Sequence, residues 1–261
     1  MPRRRLDQLC VERGLAESRQ RAQALIIAGK VLVDDRPVTK AGTPIDETAQ
    51  LRLRGAPLRF VSRGGDKLDA LLAATDLDVA NQVALDVGAS TGGFTDCLLS
   101  RGAAHVIAVD VGYGQLAWAL RQDPRVTCLE RVNARHLTRE TLHGLLVERG
   151  AGEHWPPTLA AVDVSFISLA LVLPAITALL GPRRPIAALV KPQFEAGRAD
   201  VGKGGVVKGE ARDRAIGKVL DWVKGKGYTV IHRMDCPIHG PRGNVEVLLL
   251  LDTPEHALEG E

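Results

Sequence analysis

Residues 86–93 read Asp-Val-Gly-Ala-Ser-Thr-Gly-Gly, a turn between the apolar run Val83-Ala84-Leu85-Asp86-Val87 and a helical pattern through Leu99. Glycines in such a turn let the backbone approach a ligand closely. Asp110 ends the next apolar run, His105 to Val109, where a carboxylate can receive ribose hydroxyls. Ser90 stands where a nicotinamide-dinucleotide fingerprint needs glycine, and Asp86 at the entry of the loop would repel a pyrophosphate. A cationic nucleoside fits this chemistry better, and S-adenosylmethionine combines a ribose, an ammonium and a sulfonium. On that reading Asp86, Gly88, Ser90, Thr91, Gly92, Gly93, Phe94, Asp110 and Val111 form the cofactor site. Asn133, after the third strand, is expected at the adenine edge. The plainer alternative is a glycine turn that holds no ligand.

Three more polar residues sit where apolar strands end or run. Asp163 follows Leu159 to Val162, Lys191 ends Ile186 to Val190, and Glu246 lies within Val245 to Leu251. Strand-end carboxylates in α/β folds face the ligand crevice. A glutamate buried without a partner costs several kcal/mol, so a lysine is expected opposite Glu246. The seven histidines show no metal-ligand spacing, and Cys10, Cys97, Cys128 and Cys236 form no CxxC pair. No metal site and no disulfide framework is expected, and a reducing compartment follows.

The elements that must position these residues alternate strand and helix from residue 83 onward. Strands are expected at 126–129, 159–164, 186–190, 229–232 and 245–251, and helices at 115–120, 168–180 and 210–226. This alternation predicts a doubly wound, Rossmann-like α/β sheet with its ligand at the carboxyl ends of the strands. The loop 193–207 carries four glycines and is expected to be flexible. The longest apolar run, Ile167 to Leu180, contains Pro174 and is too short to span a bilayer. With no apolar segment after the basic N-terminus, a soluble, cytoplasmic protein without stable membrane association is expected.

The chain has 261 residues and a formal charge of +3, with 34 Lys+Arg against 31 Asp+Glu. That total hides a segregation. Residues 1–60 carry twelve basic and seven acidic side chains, leaving the remainder slightly acidic. Basic excess favours phosphate backbones as partners. Within this segment Leu6, Leu9 and Cys10 share a helical face, Gly14 offers a stop, and Ser18 can cap a second helix carrying Ala22, Leu25 and Ile26. Arg19 and Arg21 fall in its first turn, where the helix dipole disfavours cations, so an anion is expected nearby. The segment resembles S4-like RNA-binding domains in Arg5-Leu6-Asp7, Gly14-Leu15-Ala16, Ser18-Arg19, Leu25-Ile26 and Gly29-Lys30-Val31. The resemblance implies a small α+β domain over residues 1–60 that binds structured RNA, with Arg4, Arg5, Arg19, Arg21 and Lys30 as contacts. No aromatic precedes Phe60, so recognition must rest on shape and backbone rather than base stacking.

Larger blocks extend the likeness along the chain: Ser62 to Leu68, Asp86 to Thr95, Val111 to Leu116, Asp163 to Ser168, Leu189 to Glu195 and Gly240 to Glu246. Together they resemble the TlyA-type ribosomal RNA 2′-O-methyltransferases, many of which carry the label hemolysin, with an FtsJ-like methyltransferase domain over residues 61–252. The resemblance implies a Lys67, Asp163, Lys191, Glu246 catalytic tetrad and methylation of cytidine ribose in the small subunit, the large subunit or both. Lys191 would act as base or as the donor that orients the 2′-oxygen, and the sequence leaves both open. A linker at about 54–62 and an acidic tail at 253–261 complete the expected organisation; the oligomeric state is left open. The competing expectations are a non-catalytic RNA-binding assembly factor and a membrane-active hemolysin.

Overall fold

A computed structural model of the chain describes residues 3–54, 59–202, 204–240 and 243–255, the side chain of Arg198 excepted. The expected linker and acidic tail fall partly outside the described residues, as do Lys203 and Pro241-Arg242. The chain divides into two compact units: Met1–Leu58 with Pro237–Pro241, and Arg59–Cys236 with Arg242–Glu261.

The small unit runs β1 (Arg3–Arg5), α1 (Leu6–Glu12), α2 (Arg19–Ile27), β2 (Val31–Val33), β3 (Arg36–Pro37), β4 (Pro44–Asp46) and β5 (Leu51–Leu53). The chain leaves α1 through Gly14 and α2 through Gly29, both at positive φ. Ser18 caps α2, its hydroxyl accepting from the Arg21 N–H at 3.2 Å. Leu6, Leu9, Cys10, Ala22, Ile26 and Val31 form its buried core. One sheet has the order β3-β2-β5, and β1 pairs with β4 in a second. The β1 strand was not expected: three exposed arginines carry no apolar alternation, and backbone pairing alone defines it.

The large unit runs α3 (Arg63–Ala73), β6 (Val83–Val87), α4 (Gly93–Ser100), β7 (His105–Asp110), α5 (Trp118–Arg121), β8 (Val126–Glu130), α6 (Arg139–Glu148), β9 (Leu159–Val162), α7 (Leu173–Leu180), β10 (Pro185–Val190), α8 (Pro192–Glu195), α9 (Gly209–Gly225), β11 (Thr229–Asp235) and β12 (Val247–Asp252). Seven strands lie in the order β11-β12-β10-β9-β6-β7-β8. The five from β10 to β8 are parallel, whereas β12 runs antiparallel to both β10 and β11. The inner strands are buried along their length, because a parallel sheet covered on both faces needs continuous apolar runs. From β6 the chain steps outward through β7 to β8, then returns to β9 on the other side of β6. The order in which strands are added therefore reverses between β6 and β9, and a crevice opens at the carboxyl ends of those two strands.

Several boundaries differ from expectation. Strand β9 stops at Val162, and β12 begins at Val247, just past Glu246. The helix expected over 168–180 is split into a 3-10 turn, Leu169–Leu171, and α7, because Pro174 lacks an N–H and fits only a first turn. The start of the expected flexible loop is the short helix α8. Its buried Glu195 accepts from the Ser168 hydroxyl at 2.6 Å and the Leu169 N–H at 2.8 Å.

Candidate active site

The glycine loop leaves β6 at the switch point. Gly88 takes φ of 84°, and a Cβ there would lie 2.8 Å from the Asp163 carbonyl oxygen, so only glycine lets the ends of β6 and β9 approach this closely. Gly92, at φ of 95°, caps α4 with its missing side chain facing Leu116 and Leu120. Asp110 closes the other wall, its carboxylate accepting from the Ser90 N–H at 2.8 Å and the Gly112 N–H at 2.6 Å. Between them lies a cavity of about 410 Å³ lined by Gly88, Ser90, Asp110, Val111, Asn133 and Asp163, among others. Asn133 Oδ1 accepts from the Arg135 N–H, which leaves its amide donors for a ligand. Asp86, Thr91, Gly92, Gly93 and Phe94 do not line this cavity: Phe94 is core, and Gly93 packs on Ser62 and Gly65. Gln115 and Ser165 line it without having been singled out as ligand contacts, and Arg135 and Phe166 line it as well.

The four tetrad residues form two ion pairs. Lys67, on α3, bonds Glu246, and both side chains are buried. Lys191 Nζ lies 2.6 Å from Asp163 Oδ1, 2.8 Å from Ser165 Oγ and 3.4 Å from the Asp163 carbonyl. Burial lowers the proton affinity of Lys67, but Glu246 and then Asp163 overcome it, so its pKa stands above the ordinary lysine value. Asp163 thus acts on both lysines and links the two pairs. Because Asp163 and Ser165 line the cavity, the Lys191 ammonium stands at its edge. Ser165, two residues past Asp163, is a Lys191 partner that the sequence did not single out.

Asp86, in β6 just before the loop, is fully buried. Its Oδ2 accepts from the Thr95 hydroxyl at 2.6 Å, and among the described residues its Oδ1 has no partner. Burial pushes this carboxyl up to about 7, the Thr95 bond opposes the rise, and Asp163 and Asp110 add to it. The folded chain therefore keeps this proton across a range where the unfolded chain has lost it. Folded stability falls as pH climbs from the ordinary aspartate value of 3.8 to about 7, by up to about 4 kcal/mol. A cationic ligand favours the ionised form, so S-adenosylmethionine affinity is expected to rise severalfold between pH 6 and 8. Asp86→Asn should flatten both dependences. Calorimetric titrations across that range check this, and a pH-independent affinity in the unaltered chain would refute it.

Phe166, next to Ser165, is 90% exposed and adopts φ of 66°, a costly backbone for a bulky residue. Its ring lies 5.0 Å from that of Phe194. In the small unit the predicted cations differ in their surroundings. Arg4 pairs with Glu12 and Glu47, and Arg5 and Arg19 share Asp7, whereas Arg21 and Lys30 have no ion pair among the described residues. His239 groups with this unit, its Nε2 3.3 Å from Thr48 Oγ1. Among the described residues no His, Cys, Asp or Glu cluster could hold a metal, and no helix is long and apolar enough to cross a membrane.

Comparison with known proteins places these features together. The model of the FtsJ-like methyltransferase family matches residues 60–253, and that of the S4 domain matches residues 4–51. The 16S/23S rRNA (cytidine-2′-O)-methyltransferase TlyA of Mycobacterium tuberculosis is 47% identical over 96% of this chain and 90% of its own. A solved structure of a hemolysin-named protein from Streptococcus thermophilus is 41% identical and superposes with a TM-score of 0.72, covering 98% of this chain and 90% of that one. An S-adenosylmethionine dependent methyltransferase from Mesorhizobium loti shares only the fold, at 15% identity and a TM-score of 0.51 over 71% of this chain and 97% of its own. With one family model spanning the switch-point cavity and both ion pairs and the other spanning the basic unit, the chain belongs to the FtsJ-like methyltransferase family and carries an S4 domain at its N-terminal end.

Proposed function

We propose that the chain methylates the 2′-oxygen of a cytidine ribose in ribosomal RNA, of the small or large subunit or both, with S-adenosylmethionine as methyl donor. The observation that carries this reading is the Lys191 ammonium bonded to two cavity-lining residues, Asp163 and Ser165. The cavity fits the donor: it lies against a glycine backbone and has the Asp110 carboxylate on its wall, and the strand leading into its glycine loop buries Asp86, whose Oδ1 has no partner among the described residues. When bound, S-adenosylmethionine supplies a methyl group on a positively charged sulfur.

Asp110 would hold the ribose hydroxyls of the donor, Asn133 its adenine edge, and Asp86 would favour its positive charge. A ribose hydroxyl is a very weak acid, so its attack needs a group beside it that orients the oxygen and receives its proton. Lys191 Nζ would orient the oxygen, and the proton would pass to the Lys191–Asp163 pair as the oxygen–methyl bond forms and the methyl–sulfur bond breaks, the sulfur leaving as a neutral thioether. The Lys67–Glu246 pair keeps Asp163 and Lys191 in place with no net charge added. Holding the hydroxyl in line with the methyl carbon contributes the remainder. The S4 domain supplies the attachment to RNA, through backbone and shape.

Incubating purified chain with ribosomal subunits and tritiated S-adenosylmethionine, then mapping the label, tests the proposal. Label on the 2′-oxygen of cytidine is expected. Label on a base, or none with any ribosomal substrate, would overturn it, and the latter would favour a non-catalytic assembly factor.

A further inference from the structure

We infer that Asp7 is a positioning residue that sets Arg5 and Arg19 as a two-pronged clamp for a phosphate of the RNA backbone. Asp7 is fully buried in the first turn of α1, yet the two arginines it holds are half exposed, at 46% and 52%. Arg5 donates Nε to Oδ1 and Nη2 to Oδ2, each at 3.0 Å. Arg19 Nε donates to the same Oδ2 at 3.1 Å, and Gln23 Nε2, one helical turn further along α2, at 2.9 Å. The carboxylate stays ionised: the Arg5 guanidinium, with Gln23 and Arg19, holds it far below the usual range despite burial.

Two guanidiniums on one oxygen are brought within about 6 Å of each other. One buried carboxylate against two cations leaves a net charge of about +1 at the surface. Arg5 Nη1 and both Nη groups of Arg19 make no hydrogen bond among the described residues. These free N–H groups are planar forks, the geometry that phosphate oxygens accept. Gly42 leaves room for the arrangement, since a Cβ there would stand 3.0 Å from Arg5 Nη1. The clamp thus spans β1, α1 and α2, and fixes rotamers that free surface arginines would have to lose on binding.

This inference rests on the ribosomal RNA reading, and its test separates the two. Asp7→Asn raises the net charge by one, so charge alone would hold or strengthen the attraction to RNA. If Asp7 sets the clamp, binding weakens despite the added charge. Binding of the full chain to ribosomal subunits, measured over a range of salt, should weaken about tenfold in Asp7→Asn, with the salt slope reduced by about 1. Adding Asp7→Asn to Arg5→Ala/Arg19→Ala should cause no further loss, because Asp7 would then have nothing to position. Asp7→Asn that binds as tightly as the unaltered chain, or that weakens the Arg5→Ala/Arg19→Ala variant by the same factor again, would overturn the clamp. An unaltered chain that binds no ribosomal subunit would instead overturn the RNA reading.

Discussion

Replacing Lys191 with alanine is expected to slow methyl transfer by at least about a hundredfold, the scale of a lost proton-transfer group, while S-adenosylmethionine binds as before. The cavity keeps its glycine backbone, Asp110 and Asn133, none of which Lys191 contacts. The variant also removes a cation from the edge of a cavity meant for a cation, so affinity for the donor should hold or improve. The truncation leaves Asp163 without its nearest counter-charge, although Lys67 is close enough to feel it. Methyl incorporation into ribosomal subunits and calorimetry with the donor provide the two readouts. Activity within a few-fold of the unaltered chain would remove Lys191 from the reacting atoms. Loss of both activity and donor binding would mean that Lys191 shapes the cavity instead.

Much of this site could be read from the sequence because its residues sit where apolar patterns stop. The strand ending at Val87 predicts a loop, its glycines predict a close approach, and the structure supplies what Gly88 approaches: the carbonyl of Asp163, 75 residues further along the chain. The order of strands that brings β9 beside β6 is not encoded in any local pattern, and therefore neither is that approach. Glu246 was legible as a carboxylate needing a partner, but that Lys67 is the partner depends on α3 reaching the end of β12. Phe166 belongs to the other kind. Its positive φ and bare ring are set by the chain leaving β9 toward the 3-10 turn at Leu169, and no residue type announces either. The same holds for Glu195, which reads as one charge in a glycine-rich loop and proves to be a buried anchor of the segment after Asp163. In the small unit the helix signals at Gly14, Ser18 and Gly29 are local and legible. The sharing of Asp7 between two arginines is a tertiary fact.

The second large effect concerns the Lys67–Glu246 pair. Glu246→Gln preserves volume but strands a buried ammonium, and breaking a buried pair costs about 3–5 kcal/mol. In the unaltered chain the pKa of Lys67 stands above its unfolded value of 10.5. The pair's stabilising contribution is therefore complete below that pH and is lost as pH rises through the folded value. Without Glu246, burial becomes the dominant influence on Lys67 and its pKa falls below 10.5. The sign then reverses: the variant is weakest near neutral pH and recovers as pH climbs toward 10. Trp118, Trp155 and Trp222 all lie in the large unit, so tryptophan fluorescence reports its unfolding without interference from the small one. Denaturant melts at pH 7 and 9.5 should show a gap from the unaltered chain that narrows at the higher pH. A double change, Lys67→Met with Glu246→Leu, removes both charges and should restore stability to the starting level or above, since a well-packed apolar pair replaces a desolvated ionic one. If the tetrad assignment is right, that stable variant still transfers no methyl group. A double variant that is stable and active would show that the pair serves the fold alone, whereas a gap that does not change with pH would show that the cost lies in packing rather than in the stranded charge.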